Sequence, residues 1–157
     1  MTEIETEFLF EARVRLAEPI HVGPTPEGRR MIVNVKGGVF EGPRLRGEVV
    51  ADTGADFARI RANGGGALDV RFLLRTDDGA LIYAHWHGVM AFDEAERSYA
   101  LDFDKPDDPA GAHRYYFRTA PRFETADERY GWLNDVVAVS RSRTGGGGVV
   151  HRIFKIV

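Results

Sequence analysis

The sequence predicts an all-β protein built as a single antiparallel barrel of about nine strands. Three observations predict this class. Hydrophobic and polar residues alternate at period two along most of the chain, glycine- and proline-rich turns interrupt the alternation at regular spacing, and no long amphipathic helical pattern appears. A chain of 157 residues is one domain's worth, so residues 1–157 read as one unit. At that length folding removes about 70% of the unfolded surface from water, enough for a core without a disulfide or metal staple.

The first strand shows the pattern plainly: Phe8, Phe10, Ala12, Val14 and Leu16 alternate with Glu7, Leu9, Glu11, Arg13 and Arg15. Similar stretches follow at about 29–36, 44–51, 57–62, 67–76, 80–91, 113–119, 136–142 and 149–156. Turns are expected at Gly23-Pro24-Thr25-Pro26, Gly37-Gly38, Gly42-Pro43, Asn63-Gly64-Gly65-Gly66, Asp78-Gly79 and Gly145 to Gly148. Strands at this spacing form one closed barrel or a sandwich, and closure is favoured because it removes exposed edges. Thr76-Asp77-Asp78-Gly79 suits a type I turn with Gly79 left-handed, which pairs Thr76 with Ala80. That register sets Leu74, Phe72 and Val70 opposite Ile82, Ala84 and Trp86, and sets Leu73, Arg71 and Asp69 opposite Tyr83, His85 and His87. Like meets like on both faces, whereas a one-residue slip would mix them. Residues 92–112 carry seven acidic side chains against Arg97 and Lys105 and read as a solvated acidic loop. Asp127 to Asn134 reads as a single helical turn with Thr125 as its N-cap.

Composition excludes several functions. The 21 basic and 24 acidic residues nearly balance, which argues against nucleic acid and anionic membranes as partners. No cysteine is present, so disulfide frameworks, iron–sulfur clusters and thiol nucleophiles are ruled out. The start Met1-Thr2-Glu3-Ile4-Glu5-Thr6-Glu7 is acidic where a secretory signal would be basic, and no apolar run approaches the ~20 residues of a membrane span. The expected compartment is the cytoplasm. The glycine clusters lack a following Lys-Ser/Thr and open no helix, so they make no phosphate cradle. Ser98, Ser140 and Ser142 lack a nucleophile elbow.

Two places carry candidate chemistry. His85 and His87 stand at i and i+2 on one strand face, the spacing of a strand-borne metal site, with Asp69 as a third ligand across the hairpin. Two solvated histidines on the wet face of a sheet fit the same spacing. His21, His113 and His151 read as scattered surface or loop histidines. The denser stretch runs from Tyr115 to Thr125 and on through Arg129-Tyr130-Gly131-Trp132-Leu133-Asn134, and concentrates phenols, guanidiniums, a carboxylate, an amide and an indole. Such groups orient a polar organic ligand against aromatic walls. Alternatively, Trp132 and Phe123 plug the barrel and Arg118 pairs with Glu124 as a structural ion pair. In a strand, Tyr116 and Arg118 share one face, while Tyr115, Phe117 and Thr119 share the other and belong to packing. A turn at Pro121 would fold Glu124 and the Tyr130 to Asn134 segment over the same opening.

The chain resembles the bacterial DUF3237 family, also called UPF0311. The resemblance runs through Gly42-Pro43-Arg44-Leu45-Arg46-Gly47, Gly54-Ala55-Asp56-Phe57, Thr76 to Ile82, Tyr116 to Glu124, Arg129 to Asn134 and the final strand near Val149 to Val157. Phe57 stands where the family usually has Trp, and Gly131 where it usually has Ala. The resemblance implies a single-domain antiparallel barrel, lipocalin-like or allene-oxide-cyclase-like in outline, and implies no assigned activity.

The leading functional expectation is a pocket for a small carbonyl-bearing or aromatic metabolite, which the barrel binds or turns over by cofactor-free proton transfer of the isomerase, lyase or cyclase type. Arg118 would hold an anionic or carbonyl oxygen, and Tyr116 or Tyr130 would donate a hydrogen bond. Glu124 or Asp56 would act as base, with Trp132, Asn134 and Phe123 completing the ligand wall. The second reading is a non-catalytic interaction module that forms homo-oligomers through strand faces. The third is a metal-dependent enzyme using His85 and His87.

Overall fold

Each alternating stretch becomes a strand in the computed structural model, which describes residues 3–157. The strands are β1 (Thr6–Leu16), β2 (Ile20–Thr25), β3 (Gly28–Glu41), β4 (Arg46–Val49), β5 (Ala55–Ile60), β6 (Gly66–Thr76), β7 (Leu81–Ala91), β8 (Tyr116–Glu124), β9 (Ala138–Gly145) and β10 (Gly148–Ile156). Neighbours run β1-β10-β9-β8-β7-β6-β4-β3, all antiparallel, and β1 pairs back onto β3 to close the wall. β4 and β5 share one place between β3 and β6, β5 against Arg29 to Asn34 and β4 against Gly38 to Glu41. The result is an eight-position closed barrel in which β2 continues the line of β1 along β3, beyond a break at Ala17 to Pro19.

The β6–β7 hairpin has the register the turn chemistry dictates, with Val70 opposite Trp86, Arg71 opposite His85 and Asp69 opposite His87. Gly79 sits at φ +91° and its N–H donates to the Thr76 carbonyl at 2.9 Å.

Four expectations need correction. Ten strands form where about nine were expected, because Gly23-Pro24 lies within β2 instead of a turn. Among the described residues this strand pairs only with β3, and an edge strand tolerates proline. Gly37-Gly38 is likewise no turn but a bend inside β3. Gly38, at φ +143°, passes so close to β1 that a Cβ there would lie 1.9 Å from the Arg13 carbonyl oxygen. Pro121 does not turn the chain either. β8 runs straight through it, beyond the last β8–β9 pair at Thr119–Ser140, where no N–H toward β9 is needed. Finally, Asp127 rather than Thr125 caps the short helix Glu128–Asp135, its side chain accepting from Arg129 N–H.

The two ends of the barrel differ. At one end Phe10, Phe40, Phe123 and Leu133 pack solidly, with Phe10 5.4 Å from Phe40 and 5.7 Å from Phe123 between ring centroids, and Glu128–Asp135 lies across the opening. At the other end the acidic connection from β7 to β8 is ordered, in short helical turns at Glu94–Glu96, Arg97–Ala100 and Pro109–His113. Asp107 fastens it, accepting two hydrogen bonds from the buried Arg143 at 2.6 and 2.8 Å and one from Arg13 at 2.8 Å. Gly146 and Gly147 N–H groups add bonds to the Lys105 and Phe103 carbonyls. No helix among the described residues is long and apolar enough to cross a membrane.

Candidate functional site

Inward-facing positions near the β7–β8 connection leave a cavity of about 670 Å³ inside the barrel. Its walls are largely apolar, with Met31, Val33, Ala58, Val70, Phe72 and Val149 among them, and Leu101 and Phe103 of the acidic connection cover part of it. Arg29, Arg30 and Arg97 also line it, alongside Glu18, Asp102 and Asp104. A space of this size and lining suits a small organic molecule with a few polar groups.

Asp56 lies in the wall of that space and is buried. The β5–β6 ladder pairs residues up to Asp56–Val70 and resumes at Arg59–Ala67. In the gap the Asp69 N–H is free of the ladder and donates to Asp56 Oδ1 at 3.0 Å. Arg30 reaches the same gap and donates to the Phe57 carbonyl at 2.7 Å. Burial pushes the Asp56 carboxyl up to about 6, and the Asp69 charge adds to the rise. The Asp69 N–H and the Arg30 charge pull the other way. A carboxyl tuned to this range exchanges protons near neutral pH.

His151 is another buried group of the cavity lining. It is no surface histidine: Val149, His151 and Ile153 share one strand face, and that face is interior. Burial holds its imidazole down at about 3, so the ring is neutral. Its Nδ1 is 2.7 Å from Ser142 Oγ, which is 2.8 Å from Ser140 Oγ, which is 2.6 Å from Thr119 Oγ1. A polar file thus crosses β10, β9 and β8 inside the barrel. The isolated serines gave no sign of it in sequence, although their i, i+2 spacing on β9 puts both on one face.

Of the four candidate catalytic residues, only Asp56 lines the cavity. Tyr116 is exposed on the outer face, and the Arg118 guanidinium lies 4.8 Å from its ring centroid while donating to the Phe117 carbonyl at 2.9 Å. Glu124 is exposed at the other end of β8 and makes no ion pair with Arg118. The aromatic segment also sits at the solid end. Phe123 is core, Tyr130 donates to Asp78 Oδ2 at 2.8 Å, and Asn134 exchanges hydrogen bonds with the Thr125 backbone. Trp132 is half-buried beneath Arg44, whose guanidinium is 3.8 Å from the ring centroid. These groups meet one another rather than the cavity.

His85 and His87 project from the outer wall beside Asp69. Asp69 Oδ1 is 3.0 Å from His85 Nε2 and 4.0 Å from His87 Nδ1, and the three potential ligand atoms lie within 4.8 Å of one another. Arg71 competes for the same carboxylate at 3.7 Å.

The chain is 35% identical to a UPF0311 protein of Rhodopseudomonas palustris over 98% of this chain and 97% of the relative. A crystal structure of a conserved protein of unknown function from the same species overlays it with TM-score 0.89 and 29% identity, covering both chains fully. A β-barrel-like protein of Acinetobacter baumannii overlays with TM-score 0.81 and 30% identity, over 100% of this chain and 98% of the other. The model of the family described as "Protein of unknown function (DUF3237)" matches residues 4–156. With this match spanning nearly the whole chain, and a closed barrel common to its relatives, the protein belongs to the DUF3237 (UPF0311) family.

Proposed function

We propose that the barrel takes a small carbonyl-bearing or aromatic metabolite into its interior cavity and acts on it by cofactor-free proton transfer, with Asp56 as the base. The observation that carries this reading is the Asp56 carboxyl itself: buried in a largely apolar wall, held by a single backbone N–H, and raised to about 6. The apolar lining supplies the driving force for binding, and Arg29, Arg30 and Arg97 in the lining offer donors to a carbonyl or other oxygen. Arg118, Tyr116 and Glu124 lie away from this cavity and take no part in it.

The test uses 2-tetralone, an aromatic ketone with acidic α-protons, in deuterated buffer. Wild-type protein is expected to accelerate α-proton exchange followed by NMR, and Asp56→Asn to lose about 10²- to 10⁴-fold of that acceleration. Equal exchange by the two proteins would overturn the assignment of the base.

A further inference from the structure

We infer that His151 offers an Nε2–H donor to the cavity and forms the subsite for the substrate's carbonyl oxygen, in the same cavity as the Asp56 base; the assignment rests on the interior-site reading above.

The direction of the polar file decides the tautomer. Ser140 Oγ already accepts the Thr119 backbone N–H at 3.1 Å, so its remaining lone pair and its proton face Thr119 Oγ1 and Ser142 Oγ. If His151 Nδ1 carried the proton, donation would run from His151 through Ser142 and Ser140 to Thr119. The buried Thr119 hydroxyl would then have a proton with no acceptor among the described residues. In the opposite direction Thr119 donates to Ser140, Ser140 to Ser142, and Ser142 to Nδ1, and every hydroxyl proton is used. A buried unsatisfied donor is costly, so the second arrangement wins. The ring's one proton is then on Nε2, which has no partner among the described residues.

The Nε2–H is therefore a donor without an acceptor among the described residues, on a residue that lines the cavity, and it suits an incoming oxygen atom. Asp56 lines the same cavity. Asp56, Val70 and Trp86 stand in one row across β5, β6 and β7, and His151 packs against the Trp86 ring.

The chemistry balances with these two groups. Asp56 carboxylate removes a proton from the carbon next to the carbonyl, and the C–H electron pair becomes a C=C bond. The carbonyl π pair moves onto oxygen, where the neutral imidazole N–H stabilises the developing charge without giving up its proton. Where the substrate is a β,γ-unsaturated carbonyl compound the product of this step is a dienolate, and the protonated Asp56 returns the proton to its γ-carbon: the dienolate pair forms the new C–H bond, the C=C moves into conjugation with the re-formed carbonyl, and the carboxylate is restored.

Two measurements on the full-length protein test this. Long-range ¹H–¹⁵N correlation spectra of the histidine rings are expected to show His151 as the Nε2–H tautomer, with that proton shifting when 2-tetralone is added. Binding of 2-tetralone is expected to be at least tenfold tighter than binding of tetralin, which has the same skeleton without the oxygen, and His151→Phe should abolish the preference while keeping tetralin affinity. An Nδ1–H tautomer, or a preference for the ketone that survives in His151→Phe, would overturn the subsite. Equal binding of both compounds by wild-type protein would overturn the subsite and leave the interior cavity standing. Failure of both compounds to bind would count against the cavity reading itself. Should His151→Phe fail to fold, the wild-type tautomer and its response to 2-tetralone still decide.

Discussion

Asp56 and His151 bend the pH dependence of stability in opposite directions. The Asp56 carboxyl rises from 3.8 to about 6 on folding, so between those values the native state holds a proton the unfolded chain has released, and stability falls as pH rises. The His151 imidazole falls from 6.5 to about 3, so the unfolded chain takes up a proton first, and stability falls as pH drops below 6.5. Between about pH 4 and 6 the two slopes oppose each other. Asp56→Asn is expected to leave His151 unopposed, so that stability relative to wild type falls by up to about 1.4 kcal/mol for each unit as pH is lowered through that window. His151→Phe should show the reverse sign. Urea denaturation at several pH values measures both, and flat difference curves would refute the buried assignments. The sequence made Asp56 available as a candidate through its motif context. His151 was legible only through phase: Val149 and Ile153 at i−2 and i+2 mark its face as interior, a signal hidden by reading the histidine alone. Arg118 and Tyr116 illustrate the opposite case, in which residue chemistry suggested a site that strand alternation points outward.

At the scale of elements, two contacts hold the barrel in the form that makes the cavity. Gly38 allows β3 to pass against β1 at the closing seam. Gly38→Ala sets a Cβ against backbone at a positive φ, and the expected loss is on the order of 3 kcal/mol or more, read from thermal or urea unfolding. A loss below about 1 kcal/mol would show that the seam can relax. The β7–β8 connection depends on Asp107, which answers the buried Arg143. Asp107→Asn leaves that guanidinium without its counter-charge, with an expected cost of about 3 kcal/mol, the low end for breaking a buried pair because Asp107 keeps some contact with water. Hydrogen exchange should quicken first across residues 101–113. Unchanged exchange there would mean that backbone bonds to Gly146 and Gly147 suffice. Alternation and turn chemistry exposed most strands and the whole β6–β7 register. They could not reveal that Gly37-Gly38 bends a strand or that Pro24 and Pro121 lie inside strands. Those roles depend on which neighbour the backbone approaches, and that is a property of the closed barrel.

For the whole molecule, closure separates two chemical surfaces. The inner wall carries one tuned carboxyl, one neutral imidazole and an apolar cavity at the end away from the solid core. The outer wall carries His85, His87, Tyr116 and Arg118 among solvated charges. Composition and alternation foretold a barrel but could not say which end would be filled, because that depends on Phe10, Phe40, Phe123 and Leu133 converging from four distant parts of the chain. The most direct measurement is therefore the location of a bound ligand: intermolecular NOEs between 2-tetralone and the methyl groups of the labelled protein. An interior site requires NOEs to Val33, Val70 and Val149, unchanged in a Tyr116→Ala/Arg118→Ala variant. NOEs confined to the outer wall beside Tyr116, or to the Tyr130–Asn134 segment, would contradict it.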